Sequence, residues 1–316
     1  MRNYLLLYVN GVRHKILGEN GFKSLSDFLR KDLGLVGTKV VCAEGDCGSC
    51  TVLVGRMITN SNGENKLCYQ SIDSCIQYLY QLDCSHIITV ESLKKAEDTK
   101  FNAELNDVQI AMVDAGGSQC GYCTPGFIMS LIAMLESREK FTRESVKEGL
   151  TGNLCRCTGY EQIIEAALSI KSSKFSSVTK IFNSKSILED FKKQLLKPVF
   201  CIFEESWNGI DRKFQYFVPI SLKEALDFKQ KNENVTIVAG GTDISVQMNK
   251  ERIEPNCVMS LTHLKELEEV KINNETITVG SKVTWTKLEQ IFRKKIPQFY
   301  EIIKVFASRQ IRNEGT

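Results

Sequence analysis

The sequence contains 316 residues, of which 42% are hydrophobic and 25% charged, which predicts a globular protein of about two or three domains. The 41 basic and 38 acidic residues give a net charge of +3 without a polybasic block, so neither nucleic acid nor a membrane is indicated as a partner. The N-terminal apolar run is too short for a signal peptide. The 12 cysteines are clustered in a chain far longer than a disulfide scaffold, which favours a reducing cytoplasm.

The first part of the chain has the pattern of a small α+β unit, which we place at residues 1–92. Short runs of β-forming residues at 4–9, 12–16, 51–54 and 87–90 predict strands, and Asn10-Gly11 predicts a hairpin turn between the first two. Apolar residues at helical spacing predict one helix over 24–33.

Three cysteines of this unit share one loop, and a fourth follows at a distance. The C-x4-C-x2-C spacing is that of plant-type [2Fe–2S] ferredoxins, whereas structural zinc sites usually use CxxC pairs. Gly45 and Gly48 allow the loop to turn its amides toward sulfur. Cys68 competes with Cys75 as the fourth ligand. The candidate ligands of this first set are Cys42, Cys47, Cys50 and Cys75.

Residues 93–172 show helical apolar spacing, which predicts four helices. Thr124-Pro125 predicts one helix start, and Thr158 with Glu161 predicts a capping box, so two cysteines should lie just before helix N-termini, where thiolates are favoured. The C-x2-C-x31-C-x1-C spacing suits zinc as well as iron–sulfur. The candidate ligands of this second set are Cys120, Cys123, Cys155 and Cys157.

The remaining sequence divides into a connection and a third domain. Residues 173–212 are rich in serine and lysine without a sustained period, which predicts an interdomain linker. In residues 213–316, a buried strand at 235–239 runs into Gly240-Gly241-Thr242-Asp243, and a further strand is predicted at 276–279. Such a turn presents successive amides and is a candidate pyrophosphate site.

Three segments resemble the xanthine dehydrogenase (molybdenum hydroxylase) family: GTKVVCAEGDCGSCTV from Gly37, QCGYCTPG from Gln119 and TGNLCRCTGY from Thr151. The layout is similar to the bacterial small subunit, in which the clusters and the flavin share one polypeptide. The resemblance implies a β-grasp ferredoxin domain, a four-helix [2Fe–2S] domain and two [2Fe–2S] clusters. It also implies that Cys75 is the fourth ligand of the first set and that Gln119 lies beside the molybdopterin of a neighbouring subunit or domain.

The third domain resembles the α/β FAD-binding (PCMH-type) domain of that family through FVPISLKEAL, IVAGGTDISVQMN and FASRQIRNEGT. The resemblance implies that Phe306 lies near the isoalloxazine. In the family a Gly-Gly-Asn loop and a further subdomain follow the equivalent of Thr316, so we expect a second chain to complete the flavin site. The residues implied to wrap the pyrophosphate are Ile237, Val238, Ala239, Gly240, Gly241, Thr242, Asp243 and Ile244.

The resemblance implies an electron-transfer subunit of an oxidoreductase, with no catalytic residue of its own. A large partner subunit would hold molybdopterin and oxidise hypoxanthine and xanthine to urate. Electrons would pass through the two clusters to FAD and then to NAD+. One alternative is the iron–sulfur subunit of a hydroxylase acting on aldehydes, CO, nicotinate or an aromatic acyl-CoA. Another is a non-catalytic fragment.

Overall fold

A computed structural model describes residues 1–60, 62–93, 105–171, 175–182, 184–207, 210–273 and 275–316. The architecture is of the predicted α+β class, with one five-stranded sheet, one four-stranded sheet and a two-stranded hairpin among these residues. No helix in these ranges is long and apolar enough to cross a bilayer.

The N-terminal unit is a five-stranded mixed sheet in the order β2-β1-β5-β3-β4. Asn10 and Gly11 have positive φ values and turn the first hairpin as predicted. The fourth strand was not predicted, although its side chains alternate between exposed and buried positions. The strands are β1 Tyr4–Val9, β2 Val12–Leu17, β3 Thr51–Thr59, β4 Asn65–Asp73 and β5 Ser85–Ile88.

The helix predicted over 24–33 is present but irregular. Ser24 caps it by accepting a hydrogen bond from the Asp27 backbone N–H. A short α-helical turn, α1 (Leu25–Asp27), passes directly into a π-helical turn at Phe28–Asp32. Its Leu25 and Leu29 side chains are fully buried against the sheet. Their spacing of four residues places them on one face of the helix, and this spacing is the pattern that predicted it.

The four predicted helices of the second unit are present, but one predicted cap is wrong. Tyr160, with φ of 72°, stands at the N-cap of the last helix. The Thr158 hydroxyl instead contacts the Cys155 sulfur and accepts from the Tyr160 N–H, so no capping box with Glu161 forms. The helices are α2 Asp107–Asp114, α3 Thr124–Glu136, α4 Arg143–Gly149 and α5 Glu161–Ser169.

The segment 173–212, predicted as a linker, contains regular structure in its described part. Helix α6 (Ser184–Gln194) buries Ile187 and Phe191, while β6 (Val199–Trp207) forms an edge of the second sheet. The helix was missed because only these two buried apolar residues, four positions apart, interrupt a lysine-rich sequence. The domain boundaries themselves stay predictions.

The second sheet has the order β6-β7-β9-β8, and its buried side chains share one apolar core with the first sheet. Helix α11 packs against β4 of the first sheet, so the C-terminal residues lie between the units. The remaining strands are β7 Ile210–Val218, β8 Thr236–Val238, β9 Cys257–Ser260, β10 Val270–Ile272 and β11 Ile277–Val279. The remaining helices are α7 Leu222–Lys231, α8 Ile244–Asn249, α9 Trp285–Lys295, α10 Pro297–Ile303 and α11 Arg309–Glu314.

Candidate functional site

The first cysteine set is brought together by the loop before β3 and the short turn after β4. Cys42 contacts Cys47 and Cys75, and Cys50 also contacts Cys75. All four are free thiols, two of them buried. Cys68 lies within β4 on an exposed position, so the geometry favours Cys75 as the fourth member.

The electrostatics of the first set fit a bound cation. Contacts with Cys47 and Cys75 lower the pKa of the Cys42 thiol, and the backbone N–H groups of Glu44 and Asp46 lower it further. The pKa values of Cys47 and Cys75 are raised, first of all by their contacts with Cys42. Four sulfurs packed this closely would repel one another as thiolates, and the positive charge of a bound metal would compensate that repulsion.

The loop of the first set depends on its glycines, as its sequence indicated. Gly45 and Gly48 have φ values of +76° and +64°. A Cβ atom on Gly48 would lie 2.2 Å from the Gly152 carbonyl oxygen, and one on Gly126 would lie 2.2 Å from the Gly48 oxygen. The first loop therefore packs at Gly48 against Gly152 and against Gly126 near the start of α3, and side chains at these positions would not fit.

The sulfurs of the second set pair across two segments. The Cys120 and Cys157 sulfurs are 3.6 Å apart, and Cys123 contacts Cys155. Burial and the contact with Cys155 raise the pKa of Cys123 to about 12. Although burial raises the pKa of Cys155, hydrogen bonds from the Thr158 hydroxyl and N–H hold it below its usual value.

The second set is more open than the first. Cys120 and Cys157 are exposed, and Gln119 beside them is exposed as well. Helix α3 begins at Thr124, one residue before the predicted start, so Cys123 and not Thr124 is its N-cap, whereas Cys157 precedes α5 by a longer turn. Four free thiols grouped in this way fit a metal cluster, and the spacing alone left zinc open.

A direct hydrogen bond joins the two sets. The Leu154 N–H, next to Cys155 in the chain, donates to the Cys47 carbonyl oxygen at 3.0 Å. The Asn153 side chain donates to the Gly48 carbonyl oxygen at 3.1 Å. Neither Leu154 nor Asn153 was singled out from the sequence, because their roles arise from contacts between distant segments.

Asp73 is a further neighbour that sequence reasoning missed. Its carboxyl oxygen lies 3.7 Å from the Cys50 sulfur. Burial, followed by repulsion from the Cys50 sulfur, raises the pKa of Asp73 well above its usual range. In this arrangement the Cys50 thiol donates to the Asp73 carboxyl oxygen. The sequence signal is its position two residues before Cys75.

A third group of potential ligands has a structural role. One ligand atom each from Asp83, Cys84 and His263 lie within 4.8 Å of one another. However, Asp83 accepts two hydrogen bonds from the Arg2 guanidinium and one from the His263 ring. A cation at this position would face a buried positive charge, so the group is better explained as an ion-pair network that ties the units together.

The predicted flavin loop is formed by a tight turn between β8 and α8. Gly241 has φ of +73°, and the Gly240 carbonyl oxygen accepts hydrogen bonds from the Gln77 and Gln81 side chains, both at 3.1 Å. A Cβ atom on Gly240 would lie 1.8 Å from the Glu314 oxygen. The loop is thus held between the Cys75 segment and the C-terminal helix.

Phe306, the aromatic residue of the predicted flavin site, is connected to this loop through Trp285. Phe306 packs on Trp285 with ring centroids 4.8 Å apart. The backbone N–H of Trp285 in turn donates to the Gly315 carbonyl oxygen, and a Cβ atom on Gly315 would lie 3.4 Å from the Thr242 hydroxyl. Trp285 was missed because it is separated from both predicted segments. The flavin roles of these residues stay predictions.

Three family models match the chain along most of its length. A 2Fe-2S iron–sulfur cluster binding domain matches residues 7–76, and a second [2Fe-2S] binding domain matches residues 89–168. A FAD binding domain in molybdopterin dehydrogenase matches residues 212–316. Two [2Fe–2S] clusters and FAD are therefore the cofactors of this group of domains.

Curated relatives include several much longer oxidoreductases. Xanthine dehydrogenase 2 of Arabidopsis thaliana is 30% identical over 98% of this chain and 26% of the relative. The xanthine dehydrogenase of Dictyostelium discoideum is 28% identical over 99% and 26%, and aldehyde oxidase 1 of Cavia porcellus is 27% identical over 98% and 26%. The chain spans about a quarter of the length of these relatives.

Solved structures of two oxidoreductases are also similar. Quinoline 2-oxidoreductase from Pseudomonas putida 86 is 29% identical, with 60% of this chain and 96% of that chain covered and a TM-score of 0.42. Aldehyde oxidoreductase from Desulfovibrio gigas is 30% identical, with 57% and 18% covered and a TM-score of 0.44. Both TM-scores are below 0.5 and add nothing to the sequence matches. The three matched domains and the curated relatives show that this chain belongs to the xanthine dehydrogenase (molybdenum hydroxylase) family, as its iron–sulfur and FAD-binding electron-transfer part.

Proposed function

We propose that this chain carries electrons from a molybdenum site on a partner polypeptide to FAD, as part of a xanthine dehydrogenase that oxidises hypoxanthine and xanthine and reduces NAD+. The observation that carries the proposal is the Leu154 N–H to Cys47 carbonyl hydrogen bond, because it places the two four-cysteine sets in direct contact. Bound [2Fe–2S] clusters supply one-electron redox chemistry.

The residues of the chain divide the tasks in this proposal. The second set would hold one cluster beside the exposed Gln119, where a partner subunit can approach. The first set would hold the other cluster within the protein, close to the turn at Gly240 and Gly241. The side chains Gln77 and Gln81 orient that turn, and the chain supplies positioning and tuning of potential.

The substrate is inferred through the relatives. We base the choice of a purine on the xanthine dehydrogenases among the relatives, which are 27–30% identical, and aldehyde oxidase 1 of Cavia porcellus, at 27%, keeps an aldehyde as the second candidate. The molybdenum site, and hence the substrate pocket, would lie on the large partner subunit.

Cysteine substitutions test the cluster assignment. Cys42→Ser should remove one of two electron paramagnetic resonance (EPR) signals and about half of the iron, since each [2Fe–2S] cluster needs four ligands. Cys157→Ser should remove the other signal. Cys68→Ser is the matched control, because this cysteine is exposed outside both sets, and it should leave both signals intact. Two signals in all three variants would contradict the assignment.

Native purification tests the rest of the proposal. The chain, isolated anaerobically, should contain about four irons, co-elute with a large molybdenum-containing subunit, and reduce NAD+ when xanthine is added. Oxidation of an aldehyde but not of xanthine by the same complex would favour the aldehyde-oxidising relatives. An isolated chain without molybdenum or flavin would contradict the electron-transfer role, and zinc in place of iron would contradict the cluster chemistry.

A further inference from the structure

The C-terminal end of α8 lies directly on the loop of the first cysteine set. Asn249, the last residue of this helix, donates through its side-chain Nδ2 to the Ala43 and Cys75 carbonyl oxygens, both at 2.8 Å. Its Oδ1 accepts from the Tyr78 hydroxyl at 2.9 Å. Both N–H groups and the carbonyl oxygen of the Asn249 amide are therefore in use.

These partners fix the orientation of the Asn249 amide. A flipped amide would direct its oxygen at two carbonyl oxygens, which are also acceptors. Neither aspartate nor leucine can replace the arrangement, since aspartate lacks the two donors and leucine lacks all polar atoms. The carbonyl groups belong to two segments that supply ligands, so one side chain joins both parts of the first set.

One of the two bonds is made to the peptide backbone of the loop that surrounds a ligand sulfur. The Ala43 carbonyl belongs to the same peptide group as the Glu44 N–H, in the loop whose Asp46 N–H donates to the Cys42 sulfur at 3.4 Å. A hydrogen bond accepted at one end of a peptide polarises it and strengthens the donor at its other end. Ala43 has φ of +56°, a conformation that persists only where its surroundings hold it.

We propose that Asn249 is a positioning residue that raises the reduction potential of the cluster held by the first set. The inference rests on the proposed function, since it assumes that these four cysteines bind a [2Fe–2S] cluster. Hydrogen bonds that reach ligand sulfurs favour the more negative, reduced cluster and are a main determinant of its potential. Because α8 follows the Gly240–Asp243 turn, the flavin segment becomes part of the surroundings of this cluster.

The same helix end makes a second contact with the loop, which is an ion pair and not a hydrogen bond to the backbone. Lys250 forms an ion pair with Glu44 on the first loop. Both side chains are partly exposed, so their interaction is screened and weak. The Asn249 amide, by contrast, bonds the backbone of the loop itself.

The test is an anaerobic redox titration of the full chain, followed by EPR at low temperature. Asn249→Leu should lower the potential of the first cluster by about 59 mV, the shift of a one-electron couple whose equilibrium changes tenfold, and leave the second cluster unchanged. Asn249→Asp keeps the size of the side chain, loses both donors and adds negative charge, so it should lower the first potential at least as much. It also provides a measurement if the leucine variant fails to fold.

Gln247→Met on the same helix is the matched control. This glutamine bonds Asp243 at an exposed position, so its replacement should move neither potential. An unchanged or raised first potential in the Asn249 variants, or an equal shift of both clusters, would overturn the inference. Iron and sulfide are measured on the same samples: absence of iron in the unsubstituted chain would contradict the proposed function, whereas two intact signals with unshifted potentials would contradict this inference alone.

Discussion

The two cysteine sets differ in how the protein holds them. In the first set Cys50 and Cys75 are buried, and contacts from α8 and α11 surround the loop. In the second set Cys120 and Cys157 are exposed on the turns that precede α3 and α5. Under the proposed function, the enclosed first loop would serve transfer within the protein and the open second set would serve exchange with a partner.

The largest expected effect is on the free energy of unfolding, where a buried ion pair of the first unit is compared with an exposed one of the helical unit. Arg2→Ala should lower the free energy of unfolding by about 3–5 kcal/mol, because it leaves the buried Asp83 carboxylate without its strongest partner. Arg143→Ala in the helical unit should have no measurable effect, since its partners Glu161 and Glu165 are exposed. Urea denaturation of both variants measures this contrast, and equal losses would contradict it.

A glycine substitution in each cysteine loop probes how closely that loop is enclosed. Gly48→Ala should cost about 1–2 kcal/mol for its left-handed backbone and about 1–3 kcal/mol for overpacking against Gly152. Gly121→Ala, at φ of +80°, would meet only the Ser118 hydroxyl, at 3.7 Å, so the backbone cost alone applies. Urea denaturation should therefore show the larger loss for Gly48→Ala. A larger loss for Gly121→Ala would contradict the enclosed first loop.

Acid should destabilise the first sheet before the helical unit that carries the second cysteine set. His86 is fully buried in β5, where its ring accepts from the Gly11 N–H, and burial lowers its pKa to about 4. The unfolded chain binds this proton near pH 6.5, so stability is complete above pH 6.5 and falls by about 3 kcal/mol as the pH approaches 4. Hydrogen exchange should show β1 and β5 loosening before α3.

His86→Gln is the control for the acid effect. Glutamine keeps an acceptor for Gly11 and does not titrate in this range. The variant should have a flatter stability profile between pH 6.5 and 4. The same slope as in the unsubstituted protein would assign the acid sensitivity to another group.

The smallest effect is kinetic and follows from exposure. A ferrous chelator added to the reduced protein at neutral pH should remove the second cluster about tenfold faster than the first, equivalent to about 1.4 kcal/mol in barrier height. EPR distinguishes the two signals as they decay. Prior loss of the first cluster would contradict the view that its loop is the protected one.

The sequence predicted local features well and distant contacts poorly. The loop that carries three cysteines of the first set was predictable because these cysteines and two glycines share one short segment, and the four helices followed from their apolar spacing. Strand β4 was missed although its residues alternate in burial, and α6 was missed because two apolar residues, Ile187 and Phe191, anchor it. Asn249 could not be predicted, since its partner Cys75 is 174 positions away.

The Asn249 contacts also bear on how the protein is made. A ribosome that adds about 5–20 residues per second needs roughly 10–35 s to pass from Cys75 to Asn249, which lies 174 residues later. During that interval all four thiols of the first set have been synthesised while the helix that bonds their loop has not. The Asn249 contacts therefore cannot hold this loop in place until synthesis has passed α8.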